Sequence, residues 1–271
     1  ASALSRASTT ENGVEEIKNR AGELVGTVGY RHFRHFEDQE TGTRGLHQSA
    51  SGDQLIAYGR IFNDDFERGS CEAHYLLDLW VKKEMSFADG LNGKWSSLLY
   101  DRRGRFVLSH DRFGQETLFY TVQNGLLIFG TNIRSILASG LVIAEPNYES
   151  LWHGLGFPCT QQPFTAFKDI YALPAAEHLI WHNGKTETQS YFELPYCEKD
   201  RGISQSEYAE LIDEAMDRAV RRQIKGTWKP GSLLSGGVDS TYYTALGKRH
   251  AETIGSVTLT LKGEAFKAAD E

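Results

Sequence analysis

Between Glu23 and Phe192 apolar and polar positions alternate in short runs rather than at helical spacing. The runs ELVGTVGYRHF (23–33), GDQLIAYGRIF (52–62), GKWSSLLYDRRGRFVLSHD (93–111), ETLFYTVQNGLLIFGTN (116–132) and EHLIWHNGKTETQSYF (177–192) are rich in β-branched and aromatic residues and bounded by Gly, Asn and Asp. That pattern predicts strands. DRRG and HNGK each join two such runs as hairpin turns, and QNG carries the Asn-Gly pair that accepts positive φ in a tight turn. Two segments break the period. CEAHYLLDLWVKK sets Tyr75, Leu76, Leu79 and Trp80 on one helical face, and NIRSILASG predicts a second helix. Residues 1–22 are polar, lack a period-2 pattern and read as a loose lead-in.

Past LPYCEKDRG (194–202), which reads as a linker, the pattern changes. Ser204 and Glu207 stand at capping-box spacing, and Tyr208, Leu211, Ile212, Ala215, Ala219 and Val220 follow at helical intervals. After GTWKPG a short apolar strand ends at Leu234, a Gly-Gly turn follows, VDSTYYTALGKRH suits a helix, and IGSVTLTL is a second apolar strand. That is the opening of a parallel βαβ arrangement. The expected organisation is two α/β domains, 1–195 and 203–271, the second cut short: two parallel strands cannot bury both faces of a sheet.

Composition narrows the function classes. The 271 residues are 40% hydrophobic and 24% charged, ordinary for a globular chain. A formal net charge of -7 argues against a surface that neutralises a phosphodiester backbone, so no nucleic-acid partner is expected. No apolar run reaches the roughly 18 to 20 residues of a membrane span, and ASALSRASTTENG lacks the features of a signal peptide, so no membrane partner is expected. Cys71, Cys159 and Cys197 are odd in number and far apart, which suggests neither a disulfide framework nor a zinc site and fits a reducing cytoplasm. His32, His35, His47, His74, His110, His153, His178, His182 and His250 show no ligand spacing, and Arg221 and Arg222 read as a solvated helix end.

The stretch LLSGGVDS carries the chemistry. Adjacent glycines at the carboxyl end of a strand let a phosphate approach the backbone, and the next helix offers unpaired N–H groups and the positive end of its dipole. Ser235 and Ser240 add hydroxyls, and Asp239 beside a polyphosphate requires a divalent cation between them, so it is assigned to Mg²⁺. Without a Lys and Thr/Ser after the glycines this is not a Walker A loop. SGGVDS instead resembles the pyrophosphatase loop of enzymes that split ATP between its α and β phosphates. That group includes GMP, NAD and argininosuccinate synthetases, tRNA-thiolating enzymes and asparagine synthetase.

The preceding domain decides among them. LNGKWSSLLYDRRGRFVLSHDRFGQETLFY (91–120) and PFTAFKDIYALPAAEHLIWHNGKTETQSYFELP (163–195) resemble, in order and spacing, segments of asparagine synthetases and related class II amidotransferases. With the loop, the resemblance runs from about residue 55 to the end. It implies an N-terminal four-layer αββα sandwich of the Ntn-hydrolase type, then the start of a parallel-sheet adenine-nucleotide (PP-loop) synthetase domain. It implies ATP and Mg²⁺, with Ser235, Gly236, Gly237 and Ser240 on the leaving pyrophosphate, Asp239 on the metal, and backbone at Leu234 and near Leu259 flanking adenine. Asp111 and Arg112, which look catalytic in isolation, belong in this resemblance to a structural turn.

The chain departs from the family where glutamine hydrolysis needs it. No Cys lies near residue 1, the family's Asn-Gly-Glu is Tyr58-Gly59-Arg60, and the Asp that grips the glutamine amino group aligns with Glu72. Cys71, before a helix, reads as packing rather than a replacement nucleophile. Glutaminase activity is therefore expected to be absent. The chain is similar to β-lactam synthetase, carbapenam synthetase and lasso-peptide lactam cyclases, which adenylate a carboxylate for attack by an amine of the same molecule. Two alternatives stand beside this: a glutamine-dependent asparagine synthetase that has lost its N-terminus, and a non-catalytic scaffolding subunit. The substrate is a small-molecule or peptide carboxylate, the catalytic residues are expected beyond Glu271, and Asp270 and Glu271 resemble the family's Asp-Glu after the second strand. A fragment, or one half of a split enzyme completed by a second polypeptide, is expected.

Overall fold

A computed structural model describes residues 10–33, 45–66, 70–157, 159–196, 202–225 and 230–259. Two units divide the chain, Ala1–Leu194 and Pro195–Glu271. In chain order the first unit carries β1 (Thr10–Lys18), β2 (Leu24–Phe33), β3 (His47–Gln48), β4 (Gln54–Ile61), α1 (Glu72–Lys83), a 3₁₀ turn (Glu84–Ala88), β5 (Gly93–Tyr100) and β6 (Phe106–His110). It continues with β7 (Phe119–Gln123), β8 (Leu126–Gly130), α2 (Ile133–Ala138), α3 (Tyr148–Gly154), β9 (Tyr171–Ala172), β10 (Glu177–His182) and β11 (Lys185–Ser190).

Six strands form one antiparallel sheet in the order β11-β10-β6-β5-β4-β3; β8-β7-β9 form a second, and β1 pairs with β2. The period of two sends side chains of the six-stranded sheet to opposite faces. Leu55, Trp95, Leu99 and Val107 go to one side, where they pack with Ala73, Leu76, Leu77 and Trp80 of α1 and with Phe87 of the 3₁₀ turn. Ile56, Leu98, Tyr100, Phe106, Leu108 and Leu179 go to the other, against Ile17 and Val28 of the β1–β2 ribbon and Tyr120, Leu127 and Phe129 of the second sheet. Beyond that sheet, Phe119 and Ile128 meet Ile133, Ile136 and Leu137 of α2. The layers therefore run α, β, β, α, the sandwich expected from the sequence. Each large side chain buried in it contributes on the order of 2 kcal/mol.

Buried carboxylates fasten the connections. Asp101 accepts N–H groups of Arg103 at 2.9 Å and Arg105 at 2.8 Å, which folds DRRG into the β5–β6 hairpin. Asp111 accepts from Phe113, Gln115 and Glu116 at 3.0–3.1 Å, so the DRFG segment is a structural turn, as the resemblance implied. Asp53 accepts from the Arg102 N–H at 3.0 Å and Trp80 Nε1 at 3.3 Å. Burial works against its charge, but these donors, Ser51 and the Arg102 guanidinium hold it below the ordinary carboxylate range. The hairpin glycines behave as expected: Asn124 and Gly125, and Asn183 and Gly184, all have positive φ.

Two local expectations are corrected. Residues 10–18 of the supposed lead-in form β1, paired along its length with β2. Among the described side chains of β1 only Ile17 is buried in the core, so they offer no apolar alternation to read. The face of α1 that enters the core also includes Leu77, while Leu79 is only partly buried. The short α3 was not anticipated; its sole buried residue is Ser150.

In the second unit, α4 (Gln205–Ile224) opens on the expected capping box, with Ser204 and Glu207 exchanging bonds. β12 (Gly231–Leu233) and β13 (Gly255–Val257) are parallel and joined by α5 (Val238–His250), which confirms the βαβ reading, although both strands are shorter than the apolar runs suggested. Tyr242 OH donates to Asp213, and His250 Nε2 lies 2.8 Å from Asp217, which ties α5 to α4. No residue of α4 is buried, and Tyr208, Leu211 and Ile212 are exposed.

One buried histidine makes the first unit acid-sensitive. His178 shares a 2.7 Å hydrogen bond with Ser109 and is stacked between Phe87 and Tyr191 at ring separations of 5.4 and 4.8 Å. Burial pushes its imidazole down to about 4 from 6.5, only partly offset by the Met85 backbone and Asp89. The neutral ring is the folded form, so its contribution is fully present above pH 6.5 and is lost as pH falls towards 4. That shift amounts to roughly 3 kcal/mol at the acid end. Urea unfolding between pH 7.5 and 4 should show this decline, and His178→Asn, less stable at neutral pH, should flatten it; an unchanged slope in the variant would assign the acid sensitivity elsewhere.

Candidate functional site

The expected nucleotide loop lies between β12 and α5. Leu234 follows the strand and donates its N–H to Val257 at 3.0 Å, which holds the loop's entry against β13. Gly236 then takes φ +81°, a left-handed conformation with open space where a side chain would be. The Ser235 and Ser240 hydroxyls are 3.0 Å apart, the Ser235 N–H donates to Ser240 Oγ at 3.2 Å, and Ser240 Oγ donates to the Gly237 carbonyl at 3.1 Å. Thr244 Oγ1 reaches the Ser240 carbonyl at 2.6 Å and Ser232 Oγ at 2.6 Å, so the first turn of the helix is stitched to the strand.

Gly237 is the N-cap of α5, and the first intrahelical bond runs from the Thr241 N–H to its carbonyl. The N–H groups of Val238, Asp239 and Ser240 precede that bond and point out of the helix start. They lie in the same turn as the hydroxyl pair, of which Ser235 is exposed and Ser240 partly buried, at the positive end of the dipole, a geometry that suits an anion. Asp239 sits in this first turn and is exposed. Its carboxylate fits a divalent ion held by oxygens, with the phosphates supplying the remaining ligands. Leu259, expected near adenine, is exposed beyond β13. The structure thus brings Leu234, Ser235, Gly236, Gly237, Asp239 and Ser240 into one loop, with Leu259 on the segment that follows the adjacent strand.

The positions expected to stand in place of the glutamine-hydrolysing residues lie on the first unit. Tyr58 is on β4, 49% exposed and opposite Ser96; Gly59 and Arg60 follow it, opposite Trp95 and Lys94. Gly59 has φ +119°, and a Cβ there would lie 2.2 Å from the Lys94 carbonyl oxygen. Glu72 is the first residue of α1 and Cys71 its N-cap. Cys71 packs against the core, as read from the sequence, and its Sγ also lies 3.2 Å from Nε2 of His47. No spacing rule could have paired them, because β3 brings His47 to α1 from 24 positions upstream. Cys159 is exposed. Among the described residues no cluster of three or more His, Cys, Asp or Glu is arranged to hold a metal, and no helix is long and apolar enough to cross a membrane. Cys197, Asp270 and Glu271 lie outside the described residues.

Comparison with known proteins divides the chain in the same places. Residues 54–192 match a family model described as a glutamine amidotransferase domain, and residues 211–271 match one described as asparagine synthase. An amidase, chry2, of Gibberella zeae is 26% identical over 74% of this chain and 31% of its own length. A putative glutamine-hydrolysing asparagine synthetase 2 of Methanocaldococcus jannaschii is 27% identical over 72% of this chain and 39% of its own. Glutamine-hydrolysing asparagine synthetase 3 of Bacillus subtilis is 26% identical over 82% of this chain and 38% of its own. The chain therefore spans about a third of the length of these curated relatives.

The close approach at Gly59 yields a sharp contrast between neighbours. Gly59→Ala should destabilise the first unit by about 3 kcal/mol or more, since both the positive φ and the contact with the Lys94 backbone oppose a side chain. Tyr58→Asn, at a half-exposed strand position, should cost under about 1 kcal/mol. Urea midpoints of the two variants measure this, and similar losses in both would refute the steric account.

Proposed function

Because the chain belongs to the asparagine synthetase superfamily, with an amidotransferase domain joined to an asparagine synthase one, we propose that it is part of an ATP-dependent, AMP-forming amide synthetase. In this reading a substrate carboxylate is adenylated and an amine of the same molecule attacks it, without glutamine hydrolysis. The observation that carries it is the Ser235–Ser240 loop: two hydroxyls 3.0 Å apart, beside three outward N–H groups and an exposed Asp239, at a parallel strand-to-helix junction.

Each residue has a role in that chemistry. The N–H groups of Val238, Asp239 and Ser240 and the two hydroxyls bind the pyrophosphate that leaves when the carboxylate attacks the α-phosphorus. Gly236 keeps the approach open. Asp239 would hold Mg²⁺, which when bound offsets the charge on the phosphates. Backbone at Leu234 and near Leu259 would flank the adenine. The exposed apolar residues of α4, with Leu233, Val257 and Leu259, support the view that more of the synthetase sheet covers this unit in the whole protein, from the same polypeptide or a second one.

Tyr58 supports independence from glutamine. A phenol stands where the family places a side-chain amide that donates to the oxyanion, and the neighbouring acid is Arg60 instead. The names of the curated relatives favour a second reading, a glutamine-hydrolysing asparagine synthetase, in which Tyr58 would have to be tolerated.

ATP–pyrophosphate exchange by the full-length polypeptide, across candidate carboxylates and with and without glutamine, separates the readings. The expected result is exchange that ignores glutamine and falls about 100-fold or more in Asp239→Ala. Release of glutamate from glutamine would establish the second reading, and absence of exchange with every carboxylate would leave a scaffolding subunit.

A further inference from the structure

Cys71 has the surroundings of a nucleophile. It occupies the N-cap of α1 in an extended conformation, φ -80° and ψ 122°. Its sulfur lies 3.2 Å from Nε2 of His47, so a base stands within hydrogen-bond reach of the thiol. The backbone N–H groups of His74 and Ala73 lie close by in the first turn of the helix, without a cap hydrogen bond to the side chain. The residue is half-buried, packed in part against the core and neither sealed nor fully exposed. These are the features that separate reactive cysteines from inert ones, namely a thiolate-stabilising neighbour, a helix start and partial exposure.

We propose that Cys71, paired with His47, is a site of covalent modification that takes small-molecule disulfides and forms mixed disulfides with them. The Cys71 thiolate attacks one sulfur of the incoming disulfide. That S–S bond breaks as the bond to Cys71 forms, and the departing thiolate takes a proton from the His47 imidazolium or from water. The disulfide is itself the oxidant, so no further reactant is required.

The charges around the pair fit this step. Burial alone would push the thiol up, but the His47 bond, the His74 and Ala73 N–H groups and the charge on His47 outweigh it and hold the thiol below its usual range. The His74 ring lies 6.0 Å from that of His47, and the His74 imidazole is 3.7 Å from Asp78 one turn along α1. Glu72 is the nearest acid in sequence, at the first position of the helix. Cys159 provides an internal control, since it is exposed and stands at no helix start. If exposure governed reactivity, Cys159 would react first; if the His47 pair governs it, Cys71 will.

The test treats the folded chain with oxidised glutathione at pH 7 and follows each cysteine by peptide mapping and mass spectrometry. Cys71 should be modified about tenfold faster than Cys159, and His47→Ala and His47→Gln should each slow Cys71 about tenfold while leaving Cys159 unchanged. Alkylation of the wild-type chain by iodoacetamide across pH should give Cys71 a midpoint below that of free cysteine, a readout that needs no variant to fold. Modification of Cys71 no faster than Cys159, a rate indifferent to both His47 variants, or a midpoint at or above that of free cysteine would each overturn the proposal.

Discussion

The first unit depends on one constraint: the central strands β5 and β6 of its six-stranded sheet are buried on both faces. An antiparallel sheet can leave one face to water, and its strands then alternate apolar with polar residues. Here β5 runs Trp95, Ser96, Ser97, Leu98, Leu99, Tyr100, all buried, and β6 is buried throughout. Such a sheet is stable only with a layer on each side. One face takes α1; the other takes a second β layer, whose own outer face then needs α2. The four layers follow from the composition of two adjacent strands.

That constraint also explains where the polar groups went. Asp53, Asp101 and Asp111 are buried at sheet ends, where chain reversals leave N–H groups without ladder partners, and the backbone donors in each turn compensate for their desolvation. His178 is the exception in kind, because it sits in a strand between two aromatic rings rather than at a turn. Its neutrality is the condition of its burial, so the centre of the fold carries an acid-sensitive group, while Asp53, which its donors hold below the ordinary carboxylate range, is strengthened by ionisation.

Elements with strong local signals were legible in the sequence, and those held by distant partners were not. The Asn-Gly turns, the α4 capping box and the face of α1 express preferences a few residues wide. β1 was not legible, since only Ile17 among its described side chains enters the core and its pairing with β2 is invisible from either strand alone. The same reason separates the two sites. The nucleotide loop is local: Ser235 and Ser240 are five residues apart and their bond follows from the turn between them. The Cys71–His47 pair is assembled by the edge strand β3, and until that strand is placed the cysteine has no reason to be more than a helix cap.

The strand that carries Tyr58 separates what the scaffold fixes from what it leaves free. Tyr58 is half-exposed on β4, and the buried residues of that strand, Leu55, Ile56 and Ile61, keep their apolar roles whatever stands at position 58. Gly59 between them is held by sterics rather than chemistry, because the backbone of β5 occupies the space a side chain would need. A substitution at position 58 therefore costs the sandwich little, while the glycine beside it has no room for a side chain.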